Sequence, residues 1–142
     1  MNILKYFKMD LIKITPDKEK AKSILRMVSL LEERIKNQNR NKMFSLIISD
    51  YYEIIKELIT CILLLDGWKT LSHKDLIDYL KENYKEFSKY EISIIDDLRT
   101  IRNKITYEGF FASFEYLERN EQNFKQMVNK LKNLINIKLV KN

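Results

Sequence analysis

Apolar residues recur along this chain at intervals of three and four, the spacing that places side chains on one face of an α-helix. Five such stretches can be followed. The first begins at Thr15-Pro16-Asp17, where a hydroxyl N-cap, a proline at the first helical position and an acid in the first turn are typical of a helix start. The polar stretch 37–41 ends or interrupts this helix.

The second predicted helix runs from about Lys42 to Leu65 and changes character along its length. Its first half is amphipathic, whereas residues 59–65 are apolar on nearly every side, a pattern that indicates burial all round. Four charged residues between positions 50 and 57 interrupt the apolar run well short of the roughly 20 residues that a membrane span needs. Gly67 is expected to end the helix as a left-handed C-cap.

Three further helices follow, each with a recognisable terminus. Ser72 is expected to cap a short third helix. Ser88 is expected to cap a fourth, with Glu91 completing a capping box. The fourth helix stops at Gly109, and a fifth is predicted from about Phe114 to Leu139.

Composition supports a fold built from few, long elements. The chain has 142 residues with only two glycines and one proline, whereas sheet proteins draw on both residues for their turns. We therefore expect an all-α fold, an up-and-down bundle of four long helices plus one short helix. The length fits a single domain over residues 1–142, with residues 1–14 as an extended or frayed lead-in.

Charge and cysteine content narrow the function classes. The net charge of +6 permits contact with a polyanion, but twenty lysines against six arginines make this a weak indication. The single Cys61 excludes a disulfide framework within one chain and, with one histidine, gives no paired ligands for a metal cluster. We expect no cofactor, no metal site, no membrane contact and a cytoplasmic location.

The most informative feature is an arginine on the apolar side of the fourth helix. On a helical wheel Arg102 falls among the apolar positions, while Arg99 and Thr106 lie at their edge. Asn103 and Tyr107 fall on the opposite side, with Asp96. An arginine on a dry face needs a partner or a function. One interpretation is a structural ion pair with Glu91 or with an acid of another helix. The other is a guanidinium that clamps a phosphate in a groove or dimer interface.

The sequence Arg102-Asn103-x-x-x-Tyr107-x-Gly109, late in a helix of a small all-helical protein, resembles the HEPN superfamily. The resemblance implies a helical bundle that dimerises through the helices carrying this motif. Many members are metal-independent RNases in which an arginine binds phosphate and a histidine serves in acid–base chemistry. Arg102 matches the arginine and Asn103 the polar residue after it, but Tyr107 stands where the histidine is expected.

Three functional hypotheses follow from the motif and the resemblance. The first is a non-catalytic or weakly catalytic homodimer that binds RNA or a nucleotide phosphate through Arg99, Arg102, Asn103 and Thr106. The second is a metal-independent RNase with an altered acid–base group, for which Arg102 and Tyr107 are the candidates. The third is a regulatory interaction module, the partner of a small nucleotidyltransferase in a toxin–antitoxin pair.

Acid–base chemistry is the weak point of the RNase hypothesis. A tyrosine with a pKa near 10 is a poor general base at neutral pH. The only histidine, His73, is expected to be a surface residue in the first turn of the third helix.

Overall fold

The structure, a computed structural model, describes residues 9–141 and is all-α. Its four long helices and one short helix are α1 (Lys18–Asn37), α2 (Phe44–Asp66), α3 (His73–Asn83), α4 (Lys89–Glu108) and α5 (Phe114–Val140). Two short strands, β1 (Ile12–Lys13) and β2 (Trp68–Lys69), pair antiparallel. The all-α fold class is therefore confirmed, whereas the up-and-down order of the helices stays a prediction.

Helix α2 forms the centre of the fold. It contacts all four other helices, and most of its residues are buried. In the segment predicted to be apolar all round, Ile59, Cys61, Ile62, Leu63 and Leu64 are all at most 3% exposed. Buried residues face more than one side of α2, which accounts for the packing of the other helices against different parts of it.

The local signals placed most helix ends correctly. Ser72 caps α3 by accepting a hydrogen bond from the backbone N–H of Asp75. Ser88 and Glu91 form the predicted capping box at the start of α4. Ser113 caps α5 in the same way as Ser72 caps α3, by accepting from a backbone N–H of the first turn.

The predicted start of α1 is wrong by two residues. Asp17, and not Thr15, is the N-cap, and its carboxylate accepts a hydrogen bond from the backbone N–H of Lys20. The backbone N–H of Asp17 donates to the carbonyl of Leu64 at the end of α2, 3.2 Å away. This tertiary contact fixes Asp17 at the helix entrance, so Pro16 precedes the helix instead of occupying its first position.

Two other boundaries differ from expectation. Lys42 belongs to a turn in which the backbone N–H groups of Lys42 and Met43 donate to the carbonyl of Asn39, and α2 begins at Phe44. Of the predicted lead-in, residues 1–8 lie outside the described residues. Ile12–Lys13 is extended and pairs with β2, a contact that ties the segment before α1 to the end of α2.

Gly67 adopts the left-handed conformation predicted for it, and Gly109, where the fourth helix was predicted to stop, adopts the same conformation. Gly67, after α2, has φ +88°, and Gly109, after α4, has φ +65°. Their surroundings differ. A Cβ on Gly67 would lie 3.1 Å from the carbonyl oxygen of Ile14, whereas a Cβ on Gly109 would meet no atom within 4 Å. The conformation alone requires glycine at position 109, while position 67 also lacks space.

We expect Gly67→Ala to lower the free energy of unfolding more than Gly109→Ala. Left-handed strain costs an alanine about 1–2 kcal/mol at either site, and at position 67 the contact with Ile14 adds to that cost. Urea unfolding of the two variants measures the difference. Equal losses would show that the approach of Ile14 to Gly67 does not constrain the fold.

Candidate functional site

The Arg102 guanidinium is held by a carboxylate from another helix. Its Nη2 donates to Oε1 of Glu53 on α2 at 2.7 Å, and the side chains are 15% and 27% exposed, respectively. Its Nη1 donates to Oδ1 of the neighbouring Asn103 at 3.2 Å. Within a single chain, Arg102 therefore forms the structural ion pair that its place among apolar neighbours requires. Glu91, the other predicted partner, instead accepts from Lys130 on α5.

Glu53 belongs to a chain of alternating charges along α2. It also accepts from Nζ of Lys56 at 2.7 Å, and Lys56 lies 3.2 Å from Glu57. Burial by itself would raise the pKa of Glu53, but hydrogen bonds and charge from Lys56 and Arg102 outweigh it, so the pKa lies below its ordinary value. Glu53 is thus ionised at neutral pH and fixes two cations.

Two tyrosine rings contact the same guanidinium. The Cζ of Arg102 lies 5.6 Å from the ring centroid of buried Tyr52 and 5.9 Å from that of Tyr107. Both distances are within the range of a cation–π contact. The two rings differ in exposure. The Tyr52 ring is buried beside the guanidinium, whereas Tyr107 is 73% exposed to solvent. Burial raises the pKa of Tyr52 to about 12, and its hydroxyl is therefore neutral.

Of the other residues predicted to form the site, some lie near Arg102 and others do not. Arg99 is 24% exposed and pairs with Asp96 one turn earlier on α4, with Nη2 3.1 Å from the carboxylate. Arg99 is close enough to Tyr52 to influence its pKa. Thr106 is exposed on the outer side of α4. Arg99, Arg102 and Asn103 therefore share one region of the surface, and Thr106 contributes nothing visible to it.

The structure brings His73 into this cluster, contrary to its prediction as an ordinary surface residue. Its imidazole lies 5.9 Å, centroid to centroid, from the Tyr52 ring, so His73 and Arg102 contact the same side chain. The pKa of His73 is lowered mainly by burial, and the positive charges of Lys56 and Arg102 lower it further. The imidazole is consequently neutral at pH 7.

Four residues of this cluster were not among the predicted site residues: Tyr52, Glu53, Lys56 and His73. A signal for two of them was present, because Glu53 and Lys56 lie three residues apart on one helix and so share a face. Their partner was not identifiable, since Glu53 and Arg102 are 49 residues apart in sequence.

Comparison with protein-family models, with curated proteins and with solved structures gave no significant match in any of the three. Within residues 9–141, no three histidine, cysteine, aspartate or glutamate side chains are grouped so as to hold a metal ion. In the same range, no helix combines the length and the apolar character that crossing a membrane demands. The resemblance to HEPN proteins stays a prediction from the motif.

We expect Glu53→Gln to lower the free energy of unfolding by about 1–3 kcal/mol at pH 7, because two half-buried cations lose their shared carboxylate. Asp96→Asn is the matched control, since its carboxylate is 52% exposed and pairs within one helix, and it should cost under about 1 kcal/mol.

Urea unfolding at several pH values checks the assignment. A lowered pKa means that the contribution of Glu53 is present above the pKa of the unfolded chain and disappears as the pH falls. The difference between wild type and Glu53→Gln should therefore shrink below about pH 4. A difference independent of pH would contradict the ion pair.

The single histidine gives an unambiguous titration. We expect the His73 NMR signal to titrate with a midpoint below 6.5 and the midpoint to rise in Arg102→Gln, because a neighbouring cation is removed. Arg26→Gln, on the exposed surface of α1, should leave the midpoint unchanged.

The free energy of unfolding should also rise with pH between the His73 midpoint and about pH 6.5, because the unfolded chain binds the histidine proton more readily than the folded chain in this interval. A midpoint at or above 6.5 would refute this environment for His73.

Proposed function

We propose that the surface of α4 around Arg102 binds single-stranded RNA, with the guanidinium on a phosphate and bases stacked on exposed aromatic rings. The observation that carries this proposal is that Arg102 is held in a fixed position and still has N–H groups available for a ligand. Arg102 gives one N–H to Glu53 and one to Asn103. A guanidinium has five N–H groups, so three lie outside these two bonds.

Exposed aromatic rings beside cations extend along the same end of α4. Tyr107 is in contact with Arg102, and the Nζ of Lys104 lies 5.8 Å from the ring of Phe110. Phe110 is 45% exposed and Phe111 is 82% exposed. A cation beside an exposed ring suits a single-stranded nucleic acid, because it offers one contact for a phosphate and one for a base face.

Acidic residues beside the two arginines are expected to weaken RNA binding. Glu53 and Asp96 compete with phosphate for Arg102 and Arg99. Binding should therefore be modest and strongly salt-dependent, with few phosphates contacted per chain. The resemblance to HEPN proteins adds a homodimer to the proposal, because two copies would double the number of contacts along one strand.

A second function, RNA cleavage without a metal, is favoured by the position of His73. A neutral imidazole can accept the proton of a ribose 2′-hydroxyl. The 2′-oxygen then attacks phosphorus, the bond from phosphorus to the 5′-oxygen breaks, and the leaving oxygen takes a proton from water. The resulting hydroxide is neutralised by the imidazolium. The products are a 2′,3′-cyclic phosphate and a 5′-hydroxyl end.

Fluorescence anisotropy with a labelled single-stranded RNA tests binding. We expect saturable binding at 50 mM salt that weakens sharply at 200 mM. Arg102→Gln should weaken it about tenfold, the value of one charge-assisted contact. Arg26→Gln removes the same charge from α1 and should change affinity less than twofold. Absence of binding at 50 mM salt, or equal losses in the two variants, would refute the proposal.

Gel analysis of the same reactions separates binding from cleavage. Cleavage that His73→Gln abolishes, with binding retained, would support the RNase hypothesis. Intact RNA after incubation with wild-type protein would leave binding as the function.

A further inference from the structure

A groove lies between α1 and α5, on another side of α2 from Glu53. Both helices pack against α2 and leave a gap of about 430 Å³ above it. This volume is within the range of about 300–1,000 Å³ that is typical of small-molecule sites. None of the residues around Arg102 lines this groove, so a ligand in the groove would bind apart from the proposed RNA site.

Two ion pairs bridge the gap. Lys132 on α5 pairs with Glu32 on α1, with Nζ 2.6 Å from the carboxylate. Arg40, in the turn before α2, forms a two-pronged pair with Glu121 on α5. Glu121 and Lys132 lie eleven positions apart on α5, which is about 16 Å along the helix axis. The groove is therefore a defined, elongated site and not an open surface.

The floor and the rim of the groove differ in chemistry. Aliphatic side chains of three helices form the floor: Ile35, Ile47, Ile54 and Val128. The ring of Tyr51 joins them, with its hydroxyl donating to Glu121 at 2.6 Å. Ile47 and Ile54 are at most 1% exposed. An apolar chain laid in the groove would therefore contact mainly Ile35 and the exposed edges of Tyr51 and Val128.

The rim carries cations that the acids do not neutralise fully. Glu121 already accepts from Arg40 and Tyr51, and Glu32 already accepts from Lys132. Lys36 and Lys125 also line the groove, and within residues 9–141 neither forms an ion pair. Of the five charged residues that line it, three are cations and two are carboxylates.

From this geometry we propose that the groove binds an elongated organic anion, a medium-length fatty-acid carboxylate. Its apolar chain lies on the aliphatic floor, and its head group is bound by Lys36 and Lys125. Two flexible ammonium groups suit a carboxylate as point charges. A cationic amphiphile is disfavoured, because both carboxylates in the groove are already paired with cations of the protein.

Isothermal titration calorimetry with decanoate tests the proposal, with decyltrimethylammonium as the probe of opposite charge. We expect decanoate to bind saturably with one site per chain and the cationic probe to bind at least tenfold more weakly. Lys36→Glu/Lys125→Glu should weaken decanoate binding at least tenfold. Lys20→Glu/Lys89→Glu makes the same charge change at exposed positions outside the groove and should leave binding within twofold of wild type.

A groove-filling variant gives an independent check. Asn129 is exposed at the rim, so Asn129→Trp should block the groove without disturbing the core or either lysine, and decanoate binding should be lost. The proposal is overturned if decanoate does not bind or if both probes bind equally. It is also overturned if the control pair loses as much affinity as the groove pair, or if Asn129→Trp binds normally. Asn129→Trp leaves the net charge unchanged and should leave RNA binding unchanged, so the two proposals fail separately.

Discussion

Burial of most of α2 is the constraint on which the rest of the structure depends. The apolar residues of α2 stabilise the fold only where they are covered, and the other four helices each cover a part of them. Burying α2 is unfavourable for its polar and charged side chains, which lose contact with water. A buried charge must be paired, and Asp50, only 6% exposed, is bound by Arg34 and Gln38 from the α1 side.

The polar groups of α2 accordingly make a different contact with each neighbouring helix. Glu53 binds Arg102 on α4, and Tyr51 binds Glu121 on α5. Asp66, at the end of α2, accepts from a tyrosine of α3 and a lysine of α5. Such pairs add little net stability compared with apolar packing, but a helix docked out of register would leave a charge unpaired. We infer that they select the correct arrangement of helices, and that the candidate site arises where one of them is partly open to solvent.

The sequence predicted what local interactions decide and missed what tertiary contacts decide. The caps at Ser72, Ser88 and Gly109 depend on residues within one turn, so their signals were sufficient. The misplacement of Arg102 on the apolar side of α4 correctly indicated a need for a partner. The identity of that partner depends on how α4 docks on α2, which no spacing along the chain reveals. The same holds for His73, whose place against Tyr52 results from the packing of α3.

The central claim is that Glu53 holds Arg102 in place across the contact between α2 and α4. A double-mutant cycle of Glu53→Gln and Arg102→Gln, with free energies of unfolding measured in urea, tests it most directly. The account predicts a favourable coupling of about 1–3 kcal/mol, because Glu53→Gln leaves the half-buried Arg102 without a carboxylate, whereas Arg102→Gln leaves Glu53 paired with Lys56 alone. Losses that add to within about 0.5 kcal/mol would show that the two side chains act independently and would contradict the account.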